Sequence, residues 1–221
     1  MKLTPPGGLS LLFGITDEQA MWRVATEDDE AAFARLMHRW ETPIQRLCAH
    51  MTGDRQHGED LAQETFARAF DRRKSFECKG KVSTWLWRIA LNLCYDELRR
   101  RRRRQETSLE DAGEETGSLG ETLAAPEKVP DASLLEKERG ELVRQALMRL
   151  PETQRAVLVL RHYQDLKFRE IAVVLEIPEG TVKSRMAEAL TVMNGMLRKT
   201  LARTPTQPAA AEPPSKESIV L

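Results

Sequence analysis

Little in these 221 residues supports covalent cross-linking, metal binding or membrane insertion. The three cysteines, Cys48, Cys78 and Cys94, are odd in number and widely spaced. They fit neither a disulfide framework nor a zinc knuckle, and a reducing, cytoplasmic setting suits them best. No apolar run approaches the ~20 residues that a bilayer-spanning helix requires. The N-terminal apolar stretch, residues 9–15, is interrupted by Ser10 and Gly14 and has only Lys2 ahead of it, so neither a signal peptide nor membrane insertion is expected. A charge excess is missing too: 34 Lys+Arg against 34 Asp+Glu leaves a formal net of zero. Taken whole, that balance argues against nucleic-acid binding, which usually goes with a basic excess.

The distribution says otherwise. Residues 1–105 hold 19 basic and 15 acidic groups (net +4), and residues 106–141 hold 3 and 11 (net −8). Residues 142–203 hold 11 and 6 (net +5), and the last 18 residues have a net of −1. Two basic blocks flank an acidic bridge, and the zero is a cancellation.

Periodicity makes the chain all-α, with no period-two alternation long enough for a strand. Residues 1–25, with Pro5-Pro6-Gly7-Gly8, read as a flexible extension. Thr26 is a candidate N-cap with Glu27, Asp28 and Asp29 behind it, and Phe33, Leu36, Met37, Trp40, Ile44, Leu47, Cys48 and Met51 form one apolar stripe. Further helices run from about Asp54 to Phe70 and from Ser83 into six consecutive arginines, so residues 26–104 form a first small helical domain. Glycines, prolines and carboxylates make 105–133 a flexible linker. Four more helices (134–150, 151–161, 168–175, 181–201) make a second small helical domain over 134–201. The Pro/Ala-rich tail, 202–221, is read as disordered.

The second block holds a helix-turn-helix signature. Ile171, Ala172 and Leu175 give a short helix with a small residue at its crossing point. Ile177 plugs the angle, Pro178-Glu179-Gly180 turns, and Thr181 starts a helix that projects Lys183, Ser184 and Arg185. Such a helix enters the DNA major groove by its N-terminal residues, where Lys, Arg, Ser and Thr reach phosphates or base edges. In the first block, Phe76, Trp85, Trp87 and Tyr95 lie among Lys74, Lys79, Lys81, Arg88 and the arginine run. Rings that stack on unpaired bases, interleaved with cations that follow phosphates, suit single-stranded DNA. Trp85 falls beside the apolar stripe and fits either core or stacking; Trp87 and Arg88 lie off it and read as functional. Asp60, Gln63 and Glu64 share one exposed helix face. A nuclease built on Asp54, Glu59, Asp60 and Glu64 would need a ligand set that His50 and His57 do not complete, so the face reads as a protein-docking surface.

Two stretches resemble a known family. Asp60-Leu-Ala-Gln-Glu-Thr-Phe-Ala-Arg-Ala-Phe with Ser83-Thr-Trp-Leu-Trp-Arg-Ile-Ala-Leu-Asn-Leu resembles region 2 of bacterial sigma factors. The span from Leu150-Pro-Glu-Thr-Gln-Arg-Ala-Val to Gly180-Thr-Val-Lys-Ser-Arg resembles region 4. Both are similar to the extracytoplasmic-function (ECF) group of the sigma-70 family. The resemblance implies a promoter-specificity factor without catalytic residues, cofactor or metal; the alternative is a helix-turn-helix regulator that does not engage the polymerase. It implies that Asp60, Gln63 and Glu64 dock on the clamp coiled coil of core RNA polymerase. It further implies that Lys74, Lys79, Lys81, Trp85, Trp87, Arg88 and Asn92 read and melt the −10 element, with Arg99, Arg100, Arg101 and Arg102 on DNA phosphates. Arg169, Thr181, Lys183, Ser184 and Arg185 would read the −35 element, and apolar surface of the same domain would hold the polymerase flap. The linker would thread the RNA exit channel, and an anti-sigma factor would hold the protein idle. Two departures stand out: a non-basic stretch, Met186–Leu190, after Arg185, and Glu176 where relatives usually carry glycine.

Overall fold

A computed structural model describes residues 15–76, 80–111 and 132–203 of the chain. Their regular structure is helical, with no strand among them. Helix α1 (Asp17–Glu27) corrects the expectation of a loose segment up to residue 25. Thr16 Oγ1 accepts from Gln19 N at 3.2 Å and Gln19 Oε1 accepts from Thr16 N at 3.0 Å, a reciprocal cap that satisfies two helix-end donors. Ala20, Met21 and Val24 are buried. Asp17 fastens the helix to its neighbour, accepting from Arg39 Nη1 at 2.6 Å and Trp40 Nε1 at 2.9 Å.

Thr26 is not a cap. It sits in the last turn of α1 with its hydroxyl donating to Trp22 O at 2.8 Å, and Asp28 ends the helix at φ 52°. Asp29 caps α2 (Glu30–Thr52) by accepting from Ala32 N at 2.9 Å. Helix α2 runs through Pro43 and stops at Gly53, whose φ of 74° suits a residue without Cβ. Helix α3 (Arg55–Asp71) crosses α2 closely: a Cβ on Gly58 would lie 2.7 Å from Ala49 N. A single 3₁₀ turn (Arg73–Ser75) follows.

Helix α4 (Val82–Asp111) carries the helix past the expected boundary at 104. It packs on α2 and α3 around Met21, Ile44, Leu47, Met51, Ala90 and Leu91. Cys48 and Cys94 are free and buried in this core. A hydrogen bond with Cys48, then burial, holds the Cys94 thiol well above its ordinary pKa, so it stays protonated.

The C-terminal unit comprises α5 (Ala132–Met148), α6 (Glu152–His162), α7 (Phe168–Leu175) and α8 (Glu179–Arg203). Its core is Leu147, Val157, Val159, Leu160, Ile171, Val174 and Val182. Pro151 stands at the N-cap of α6, where its missing N–H costs no helical hydrogen bond. The α7–α8 turn leaves Glu176 at φ 54°. The units touch: α2 meets α5 and α6, and α4 meets α7. Among the described residues, no helix is long and apolar enough to cross a membrane.

Candidate nucleic-acid interface

Helix α4 puts Trp85, Arg88 and Asn92 along one side, at steps of three and four residues. Asn92 is exposed; Trp85 is half-buried and tilts against Phe76 with ring centroids 5.3 Å apart. Trp87 is only 3% exposed and meets Trp40 edge to face at 5.5 Å. Its reading as a residue off the apolar stripe is corrected here. The stripe inferred from α4 alone omitted α2, whose Trp40 covers the flank where Trp87 emerges. Lys74 and Lys81 are exposed, and Lys79 lies outside the described residues.

The arginine run is not a bare row of cations. Glu97 pairs with Arg100 at 3.3 Å and Arg101 at 3.1 Å, Arg102 pairs with Glu106 at 3.0 Å, and Arg99 approaches Asp96 at 3.9 Å. Arg101 also donates to Thr52 O at 3.5 Å. These helix-spaced pairs are mostly solvent-facing and worth about 0.3–0.5 kcal/mol each, so phosphates can replace the carboxylates cheaply. On α3, Asp60, Gln63 and Glu64 are all exposed, and Glu64 accepts from Arg68 Nε at 2.8 Å.

At the other end, the first turns of α8 expose Lys183 and Ser184 while Val182 and Met186 turn into the core. Lys183 Nζ lies 2.7 Å from Glu179, and Ser184 Oγ donates to Thr181 O at 3.0 Å. Thr181 and Arg185 are half-buried and Arg169 on α7 is exposed. In the departing stretch after Arg185, Met186 and Ala189 are core, and Glu188 accepts from Gln154 Nε2 at 2.9 Å. Packing against α6 therefore accounts for part of its non-basic character.

Sequence reasoning missed Arg155. It is 5% exposed, yet donates only to carbonyls: Leu147 O at 3.1 Å, Met148 O at 2.8 Å, Leu150 O at 3.0 Å and Met51 O at 2.5 Å. It satisfies the orphan acceptors that end α5 and reaches the end of α2 as well. Burial pulls its pKa below the ordinary arginine value, with Glu152 opposing. Nothing in its spacing distinguishes it from a solvent-facing arginine. Tyr95 on α4 is half-buried; burial pushes its phenol up to about 12, with Arg185 opposing.

Residues 36–104 match the family described as Sigma-70 region 2, and residues 140–193 match Sigma-70, region 4. The ECF RNA polymerase sigma factor SigW of Bacillus subtilis is 34% identical over 170 residues, covering 77% of this chain and 91% of SigW. The chain belongs to the ECF sigma factors. The RNA polymerase sigma-H factor of Pseudomonas aeruginosa is 31% identical over 84% of this chain and 95% of its own length. The fold agrees with that of solved relatives. CnrH, in complex with the cytosolic domain of CnrY, superposes with a TM-score of 0.61 at 21% identity over 83% of this chain and 97% of its own. RpoE of Bartonella quintana, in complex with the anti-sigma factor NepR, gives 0.56 at 20% identity over 75% and 96%. A region 2 match in addition to the helix-turn-helix sets this sigma factor apart from a regulator that binds duplex DNA without the polymerase, the alternative left open above.

Proposed function

We propose that this sigma factor docks core RNA polymerase through Asp60, Gln63 and Glu64 on α3 and directs promoter recognition with two separate faces. Lys74, Lys79, Lys81, Trp85, Arg88 and Asn92 read and melt the −10 element. Trp87 supports that face from the core, and Arg99–Arg102 follow phosphates. Arg169, Thr181, Lys183, Ser184 and Arg185 read the −35 element. Melting needs somewhere to put an unstacked base, because flipping costs a few kcal/mol that a pocket must return. Trp85, half-exposed beside Lys81 and Arg88 on a cavity wall, has the chemistry for that. The protein contributes binding energy and no catalytic group of its own, and it acts in the cytoplasm. An anti-sigma partner is part of the proposal, since one protein of like fold, RpoE of Bartonella quintana, is in complex with the anti-sigma factor NepR.

The observation that carries this reading is the α3 face, whose three polar residues are all exposed among the described residues. Run-off transcription with core polymerase over a genomic template library tests it. Promoter-dependent product is expected with the wild-type protein, and Asp60→Ala/Glu64→Ala should lose core binding by at least tenfold while remaining folded. Core binding unaffected by that double change would sink the docking assignment.

A further inference from the structure

In the turn between α1 and α2, Glu27 and Asp29 work locally. Both pair with Arg23, at 3.5 and 2.6 Å, and Asp29 also caps α2. Asp28 instead reaches a residue 45 positions further along the chain. Its Oδ1 accepts from Arg73 Nε at 2.8 Å and lies 2.7 Å from Arg73 Nη2. The third nitrogen, Nη1, donates to Phe70 O at 2.9 Å, and the guanidinium carbon lies 4.2 Å from the Phe70 ring centroid. Arg73 is thus engaged at every nitrogen and on its face, with a side chain only 19% exposed. Its neighbours Arg72 and Lys74 are exposed. An arginine held in this way is a strut between elements and not a cation offered to phosphate.

The strut stands at the edge of the −10 face. Arg73 opens the 3₁₀ turn Arg73–Ser75, against which α1 packs. Arg73 O accepts from Phe76 N at 3.3 Å, so the residue that Asp28 holds also fixes where Phe76 leaves the turn. Phe76 is buried, its ring centroid 5.3 Å from that of Trp85. Ser75 and Phe76 line the cavity on whose wall Trp85 stands.

We propose that Arg73, held by Asp28, is a positioning residue for promoter melting: it sets the Phe76 ring against which Trp85 meets an unstacked base. The proposal rests on the −10 role assigned to Trp85 above. A pocket for a flipped base works best when its walls are in place before the base arrives. The backbone agrees. Asp28 stands at φ 52°, a left-handed conformation that a residue with Cβ adopts at a steric cost. Its side chain caps neither helix; what the conformation delivers is a carboxylate placed on Arg73. The hydrogen bond from Arg73, then its charge, holds that carboxyl below its ordinary pKa, so the pair is ionised at neutral pH.

The test uses holoenzyme assembled from core polymerase and the full chain, on a promoter recovered in the run-off screen. 2-Aminopurine placed in the −10 element brightens as its base unstacks and so reads opening. Asp28→Asn and Arg73→Lys should each slow opening by about two- to fivefold, the scale of a solvent-exposed pair. Arg73→Lys keeps the cation but loses the planar fork. The double variant should be no slower than the slower single, because both act through one strut. Glu27→Gln should match wild type. Run-off from a template already unpaired at −10 should be equal for all of them, a result that a general loss of folded protein or of core binding would not give. Faster opening with Asp28→Asn would make Arg73 a phosphate contact and overturn the proposal. So would unchanged opening in both single variants, losses that multiply in the double, or an equal deficit on the unpaired template. A wild type that opens while the variants keep pace defeats the strut alone. A screen that yields no promoter-dependent product defeats the −10 assignment, and the strut's role in melting with it.

Discussion

In the N-terminal unit the residues nearest the proposed DNA face also hold the bundle together, whereas in the C-terminal unit they stand clear of the core. Trp87 is 3% exposed and braces α4 against Trp40 of α2, two residues from Trp85 on the face itself. Lys183 and Ser184 are exposed one step beyond fully buried Val182. The reason lies in the tasks proposed for them. A melted base needs a walled pocket, and walls are made of core residues; a major-groove reader needs only a rigid helix with polar side chains facing out. The C-terminal unit obtains its rigidity from a smaller core and supplements it with Arg155, which takes one acceptor from the other unit.

Substitutions should separate the two designs. The largest effect belongs to Trp87→Ala, which removes a buried indole and leaves a cavity at the α2–α4 crossing. We expect a loss of about 3–5 kcal/mol by denaturant unfolding. A change below about 1 kcal/mol would mean that Trp87 belongs to the face and not to the core. Arg155→Met keeps the bulk but strands buried carbonyls at the ends of α5 and α2. It should cost about 1–3 kcal/mol and increase hydrogen exchange at the junction of α5 and α6 more than in α3.

Acidification is a smaller probe. His50 on α2 stacks on Tyr163 at 3.7 Å, and burial, then Arg46, holds its pKa below 6.5. The unfolded chain therefore binds the proton more readily. The contribution is fully present above about pH 6.5 and is lost as pH falls through the lower folded value. Tm should drop by about 1–3 °C more in wild type than in His50→Gln between pH 7.5 and 5.5; parallel curves would remove His50 from the account. Smallest in stability is Lys183→Ala, within about 0.5 kcal/mol of wild type. It should weaken binding to a −35 duplex while lowering the slope of log affinity against log salt by about 1. An unaltered slope would take Lys183 off the phosphates.

Much of this was legible beforehand because it is local. Phe168–Leu175 forms the helix read from its pattern, and Asp54 caps α3 by accepting from His57 N at 3.1 Å where that helix was expected to begin. Helix α1 escaped because it turns only Ala20, Met21 and Val24 inward over eleven residues, too few for a periodic signal. Thr26 was mistaken for a cap because a threonine before three acidic residues has the composition of one. The true cap, Asp29, lies three residues on, after Asp28 has broken the chain at positive φ. Trp87 misled because a stripe computed on one helix does not know how many neighbours that helix has.

The sequence by itself determined the helical class, the two-block order, the turn before the recognition helix and the family, since each depends on residues within a few turns of one another. Glu176 was visible there only as an oddity. Only the tertiary structure decided that Glu176 faces Arg88, that Trp87 is core, and that Arg155 closes the ends of helices from both units. Those facts depend on pairs as far apart as Met51 and Arg155. Which distant groups meet is set by how whole helices pack, and periodicity within a helix carries no information about its partner.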